Sequence, residues 1–129
     1  IFKYLKKFSK LHKNFRLFTT LPREDYLGLL KYSNLLVGNS SSGIIEASYF
    51  DIPVVNIGSR QMNRERGKNI FDVTNFDTLN IFKTVSRALK YKKSENNFVY
   101  GIGNTAQKIV KTLDSISLND KLIHKQIMY

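Results

Sequence analysis

The chain has 129 residues, 42% of them apolar, and 21 Lys and Arg against 10 Asp and Glu give it a net charge of +11. That length suits one domain with a real core, and the absence of cysteine excludes disulfides and thiolate metal sites. The two histidines, His12 and His124, stand at no metal-ligand spacing.

No apolar run approaches membrane-spanning length and no signal peptide is visible, so a cytoplasmic protein with no membrane partner is expected. The lysines are dispersed, as in Lys3, Lys6, Lys7, Lys10 and Lys13 and again in Lys83, Lys90, Lys92 and Lys93. Most fall where a helix would face water, and no aromatic residues interleave with them as a single-strand surface requires. No nucleic-acid partner is therefore expected.

The chain opens at Ile1 inside what reads as a helix end, and is read as a portion of a longer protein. Phe2, Leu5 and Phe8 recur at helical spacing among lysines, predicting an amphipathic helix that ends near Lys10. Phe15 to Thr19 is short, apolar and β-prone, and predicts a strand. Pro22 opens a helix with Glu24 and Asp25 in its first turn, where acidic groups complement the dipole. Tyr26, Leu29 and Leu30 are its expected buried face.

Leu35 to Val37 is a continuous apolar run ending at Gly38, the pattern of a strand buried on both faces. A polar turn, Asn39 to Gly43, leads into a helix over Ile44 to Phe50. Pro53 to Ile57 predicts a second buried strand, ending at Gly58. A charged loop, Arg60 to Lys68, leads to a third strand, Ile70 to Val73. Asp77 is placed to cap a long helix whose apolar face is Leu79, Phe82, Val85 and Leu89. A loop from Glu95 to Gly103 precedes a helix capped by Asn104 or Thr105 and carrying Ile109, Val110 and Leu113. Leu118, Leu122 and Ile123 could extend a terminal helix. One domain over residues 1–116 with a tail over 117–129 follows. Strand alternating with helix predicts a doubly wound parallel α/β sheet, which binds ligands beyond the carboxyl ends of its strands.

Two segments at that edge carry chemistry. In Gly38-Asn39-Ser40-Ser41-Ser42-Gly43-Ile44-Ile45-Glu46, the glycines admit a close backbone approach. The serines and the free amides of a helix start suit a phosphate or diphosphate. The competing reading is a serine-rich helix cap with no ligand. A capping box would need Ser or Thr three residues before Glu46, but Gly43 stands there. The Glu46 carboxylate, four residues after Ser42, instead suits a pair of neighbouring hydroxyls such as a ribose presents; the alternative is a solvated helix glutamate. The second segment, Asn56 to Gly67, holds Arg60, Arg64 and Arg66, whose forked guanidinia suit phosphate oxygens. Arg60, nearest the strand end, is favoured, and a solvated basic loop is the other reading of Arg64 and Arg66. Tyr100-Gly101-Ile102-Gly103-Asn104 reads as a tight turn before a helix cap.

Together, Asn14-Phe15-Arg16, Leu21-Pro22, the Gly38–Glu46 turn, Pro53-Val54-Val55-Asn56-Ile57-Gly58-Ser59-Arg60-Gln61, Arg64 and the Tyr100–Asn104 loop resemble the UDP-N-acetylglucosamine 2-epimerase family. The hydrolysing branch, which makes N-acetylmannosamine for sialic-acid-type sugars, is the nearest resemblance. It implies the second, Rossmann-like domain of a glycosyltransferase-B-like fold, with UDP lying mainly against this domain. It implies UDP-N-acetylglucosamine as substrate, no cofactor and no metal, and a homo-oligomer for the full-length protein. Ser40 and Ser41, with Ser42 and Gly43 in the same turn, are implied at the diphosphate, Glu46 at the ribose, and Arg60 at the phosphates or sugar. Leu21 and Tyr26 match positions near the uracil. The family's acid-base carboxylates and a key histidine fall upstream of Ile1, so this chain by itself is expected to bind nucleotide without completing the chemistry. Two positions depart from the pattern: Ile102 stands where the family often has Asp, and Asn63 where it often has Gly. The alternatives are a UDP-sugar glycosyltransferase half, a non-hydrolysing epimerase, and a non-enzymatic nucleotide-binding fragment.

Overall fold

The computed structural model describes residues 1–94, 98–117 and 119. Its elements in chain order are α1 (Phe2–Leu11), α2 (Arg23–Lys31), β1 (Leu36–Gly38), a 3-10 turn (Ser41–Gly43), α3 (Glu46–Tyr49), β2 (Val54–Ile57), β3 (Ile70–Val73), α4 (Thr78–Ala88) and α5 (Thr105–Ser115). The three strands form a parallel sheet in the order β1-β2-β3, with Gly38 opposite Asn56 and Asn56 opposite Asp72.

Alternation along β2 sends successive side chains to opposite faces, and each face has its own core. Val54 joins Leu30, Ala47 and Ile52 under α2 and α3, with Tyr26, Leu36, Phe50 and Ile70 packed around them. Val55 joins Val73 and Ala88 under α4, with Leu35, Ile57, Phe71, Ile81 and Val85. Helices thus cover both faces, as the α/β patterning predicts. The described strands run in chain order, however, with no reversal among them, and no helix separates β2 from β3.

Several local expectations change. Phe15–Thr19 is not a strand. The Phe15 amide donates to the His12 carbonyl (3.0 Å), and its ring meets Phe8 edge-on at 5.2 Å, while His12 stacks on Phe8 at 3.9 Å. This aromatic cluster folds Phe15 back onto α1, and no ladder claims the segment. β1 is a sheet edge and not a strand buried on both faces: Val37 is 47% exposed because α4 packs over β2 and β3. In α2 the core-facing pair is buried Leu30 and half-buried Tyr26, spaced one turn apart, and Leu29 is turned outward. In α4 the sheet-facing stripe is Ile81, Val85 and Ala88, whereas Leu79, Phe82 and Leu89 form a second apolar stripe that faces outward. Ala88 wins over Leu89 because its small side chain lets the helix axis approach the sheet.

Asp77 caps α4 as expected, its carboxylate accepting from the Asn80 amide at 2.8 Å. Asn104 precedes α5 without a side-chain cap bond, and Ile109, Val110 and Leu113 are exposed. Leu118, Leu122 and Ile123 lie outside the described residues. Among the described residues no helix is long and apolar enough to cross a membrane.

Candidate functional site

Because β1 and β2 are parallel and in register, the turn after Gly38 and the loop after Ile57 leave the sheet at the same carboxyl edge. A direct bond joins them: the Gln61 side-chain amide donates to the Asn39 carbonyl at 3.0 Å. Ser41 and Arg60 therefore belong to one edge, as the strand patterning predicts.

The serine turn is tightly wound. Ser40 Oγ accepts from the Ser42 amide at 3.3 Å, the Gly43 amide donates to Ser40, and the Ile44 and Ile45 amides both donate to Ser41. The backbone donors from Ser42 to Ile45 are thus spent inside the turn, and the expectation of free helix-start amides there is corrected. Among the described residues, the Ser41 hydroxyl and the exposed guanidinium of Arg60 have no hydrogen-bond partner and are open to an anion. Ser42 is engaged elsewhere, its Oγ sharing a 2.6 Å hydrogen bond with the Tyr26 hydroxyl. Gly43 also has a packing reason: a Cβ there would lie 3.0 Å from Val54 Cγ1 and 3.5 Å from Leu36 Cδ2. Its bare backbone approaches the sheet closely.

Glu46 opens α3 from a half-buried position, with one carboxylate oxygen 3.9 Å from the Arg23 guanidinium at the start of α2. The expected helix over Ile44–Phe50 is α-helical at Glu46–Tyr49, with a turn over Ile44 and Ile45. Leu21 and Tyr26 have different surroundings. Leu21 lines a hollow with Phe18, Gly28, Leu29 and Tyr32 and with the acidic Glu24 and Asp25, whereas Tyr26 bonds the serine turn.

The arginine loop starts at Gly58, whose φ of +94° is open to glycine and strained for other residues. Its three arginines have two fates. Arg60 and Arg64 are exposed. Arg66 is mostly buried and bonds Asp72 and the Gln61 carbonyl, with a further bond to the Arg64 carbonyl at 3.3 Å. Asp72 also accepts from the side-chain amide of buried Asn56 at 2.7 Å. Arg66 is thereby a brace for the loop. The Tyr100 hydroxyl donates to the Glu65 carbonyl at 2.7 Å, so the glycine turn before α5 is drawn to the same loop. Gly101 and Gly103 both have left-handed φ, as a tight turn there requires.

Sequence reasoning missed Arg23 as the neighbour of Glu46 and gave Gln61 no role. A charge at the start of α2 looks like any surface arginine until α2 and α3 pack. The available signal for Gln61 was its place directly after Arg60 in a loop leaving a buried strand. Among the described residues no group of three or more His, Cys, Asp or Glu side chains is arranged to hold a metal.

Residues 1–114 match the family model described as UDP-N-acetylglucosamine 2-epimerase. The chain is 37% identical over 115 residues to the UDP-N,N'-diacetylbacillosamine 2-epimerase (hydrolyzing) of Legionella pneumophila, covering 88% of this chain and 30% of that protein. It is equally similar, over the same shares, to the GDP/UDP-N,N'-diacetylbacillosamine 2-epimerase (hydrolyzing) of Campylobacter jejuni. It is 39% identical over 88 residues to the UDP-N-acetylglucosamine 2-epimerase of Neisseria meningitidis, covering 68% of this chain and 23% of that one. The chain thus spans under a third of these relatives' lengths. The match to the family model over nearly the whole chain, on a sheet whose carboxyl edge gathers the serine turn and the arginine loop, shows that this chain belongs to the UDP-N-acetylglucosamine 2-epimerase family.

Proposed function

We propose that this chain is the UDP-binding part of a hydrolysing UDP-N-acetylglucosamine 2-epimerase, which releases UDP and N-acetylmannosamine in the cytoplasm as a homo-oligomer. The observation that carries the reading is the Gln61–Asn39 bond, which holds the serine turn beside the arginine loop. The Ser41 hydroxyl and Arg60 would then face the diphosphate from two sides, with Ser40 alongside. A guanidinium so placed stabilises negative charge as UDP departs, because it is positioned before the charge develops. Glu46 would accept from the ribose hydroxyls, and Tyr26 would fix Ser42 and the turn behind it. Leu21 would meet the uracil.

The expected reaction begins with removal of the sugar C2 proton by a base. Elimination then breaks the bond from C1 to the diphosphate oxygen, UDP leaves with that electron pair, and water adds to the resulting glycal-like alkene. With Glu46 given to the ribose, the other side chains gathered here are hydroxyls and guanidinia suited to an anion, and the proton-transfer groups are assigned to the length of the relatives that this chain does not span. Relatives named as hydrolyzing diacetylbacillosamine epimerases support the hydrolysing type, while the Neisseria relative and the family model, both named for UDP-N-acetylglucosamine, make the N-acetyl sugar the first substrate to try and its diacetylated counterpart the second.

Titration of the chain with UDP and with its 2′,3′-dideoxy analogue tests this reading. The unsubstituted chain should prefer UDP. Glu46→Gln should weaken UDP by roughly 1–3 kcal/mol, the worth of hydrogen bonds to a charged group, and should bind both nucleotides alike. Equal discrimination by the two proteins would refute the ribose assignment.

A further inference from the structure

Gln61 is 3% exposed, and each of its polar groups has a different fate. The side-chain amide donates across to the Asn39 carbonyl, and the backbone carbonyl accepts from Arg66. Oε1 is buried with no hydrogen-bond partner among the described residues. A buried acceptor without a partner costs about 1–3 kcal/mol, a penalty that Met or Leu at this position would avoid. Filling space therefore does not explain an amide here, whereas the donor to Asn39 does.

That donor ends a continuous polar chain. Asn56 on β2 holds Asp72 on β3; Asp72 holds Arg66; Arg66 holds the Gln61 backbone; and the Gln61 side chain holds Asn39. Asn56 and Asp72 are opposite one another in the sheet register, so the chain is rooted in the sheet itself. At its other end, Asn39 is the residue immediately before Ser40 and Ser41, and Arg60 immediately precedes Gln61.

We propose that Gln61 is a positioning residue for the diphosphate: its amide latches the serine turn to the arginine loop, so that the Ser41 hydroxyl and Arg60 are held at one fixed separation. This rests on the UDP-binding reading above and adds the residue that sets its geometry. The latch acts on the phosphate end of the ligand, since it joins the two segments that would face phosphate and touches no residue assigned to the uracil or ribose.

The test compares UDP with uridine. Gln61→Met keeps the length and apolar bulk of the side chain and removes its donor. It should lower UDP affinity about 3- to 10-fold, the worth of one net hydrogen bond, while uridine affinity stays unchanged. A general loosening of the fold would weaken both ligands together, and that outcome overturns the proposal. The unsubstituted chain supplies a second readout that needs no variant: the Gln61 side-chain amide resonances should move when UDP is added and stay still with uridine. Equal movement with both ligands, or none with a UDP that demonstrably binds, overturns it as well. If the unsubstituted chain binds no UDP at all, the function proposed above fails and this inference falls with it. Normal UDP binding by Gln61→Met refutes the inference alone.

Discussion

At the scale of the residue, the edge of the sheet shows how the same side-chain types acquire opposite roles. Arg60 and Arg66 share one loop, yet Arg66 is consumed by Asp72 and backbone carbonyls while Arg60 is left exposed. Gly43 is explained by contact with Val54 and Leu36. Val54 is buried and β-branched, with little rotamer freedom to retreat. Gly43→Ala should therefore destabilise the chain by about 1 kcal/mol, the low end of overpacking costs; a urea midpoint at or above that of the unsubstituted chain would show that the contact yields. Tyr91 offers a pH signature at the opposite end of the sheet. Burial first, and then its hydrogen bond to Asp51 and the Asp51 charge, push its hydroxyl up from 10.0 to about 12, partly offset by a backbone hydrogen bond from Ser94. The neutral phenol is the form the fold favours. Its contribution is complete below pH 10, where both states keep the proton, and is lost as pH rises toward 12, because the unfolded phenol ionises first. Tyr91→Phe should flatten the fall in stability between pH 10 and 12; an unchanged alkaline slope would contradict the assignment.

At the scale of the element, caps were readable and faces were not. Asp77 takes its predicted place, accepting from the Asn80 amide and from the Asn80 side chain. Asp77→Ala should cost about 1 kcal/mol, with thermal unfolding as the measure, and a change near zero would mean that the end of α4 is held by packing alone. The expected face of α4, Leu79, Phe82, Val85 and Leu89, holds only for Val85, because the helix carries two apolar stripes and periodicity scores one as readily as the other. The sheet selects Ile81, Val85 and Ala88, through Val55 and Val73. Phe15–Thr19 failed for a related reason. A β-prone run becomes a strand when a ladder receives it, and Phe15 is instead committed to Phe8 and His12 of the preceding segment.

At the scale of the whole molecule, a charge of +11 raises the question of nucleic acid. Dispersed lysines give contacts to phosphate alone, and these weaken steeply with salt. Any shift of a labelled single strand or duplex in a gel should be independent of sequence and should vanish by about 0.2 M salt. A complex that survives higher salt, or prefers one sequence, would mean that a built interface exists. Outward-facing apolar side chains on α4 and α5, among them Phe82, Val110 and Leu113, set this chain apart from a fully enclosed core.

The sequence by itself determined the class of fold, the three strands, the cap of α4 and the two polar segments at the carboxyl edge of the sheet. These follow from local rules: apolar runs that end at Gly38 and Gly58, an acidic cap, and a serine turn and arginine loop each directly after a strand. Only the tertiary structure decided which apolar face is covered, that Arg66 braces while Arg60 stays exposed, that the amides from Ser42 to Ile45 are already spent, and that Gln61 joins the two segments. Each of those depends on a partner distant in sequence, such as Asn39 for Gln61 or Asp72 for Arg66, and long-range hydrogen bonds leave no periodicity in the chain to read.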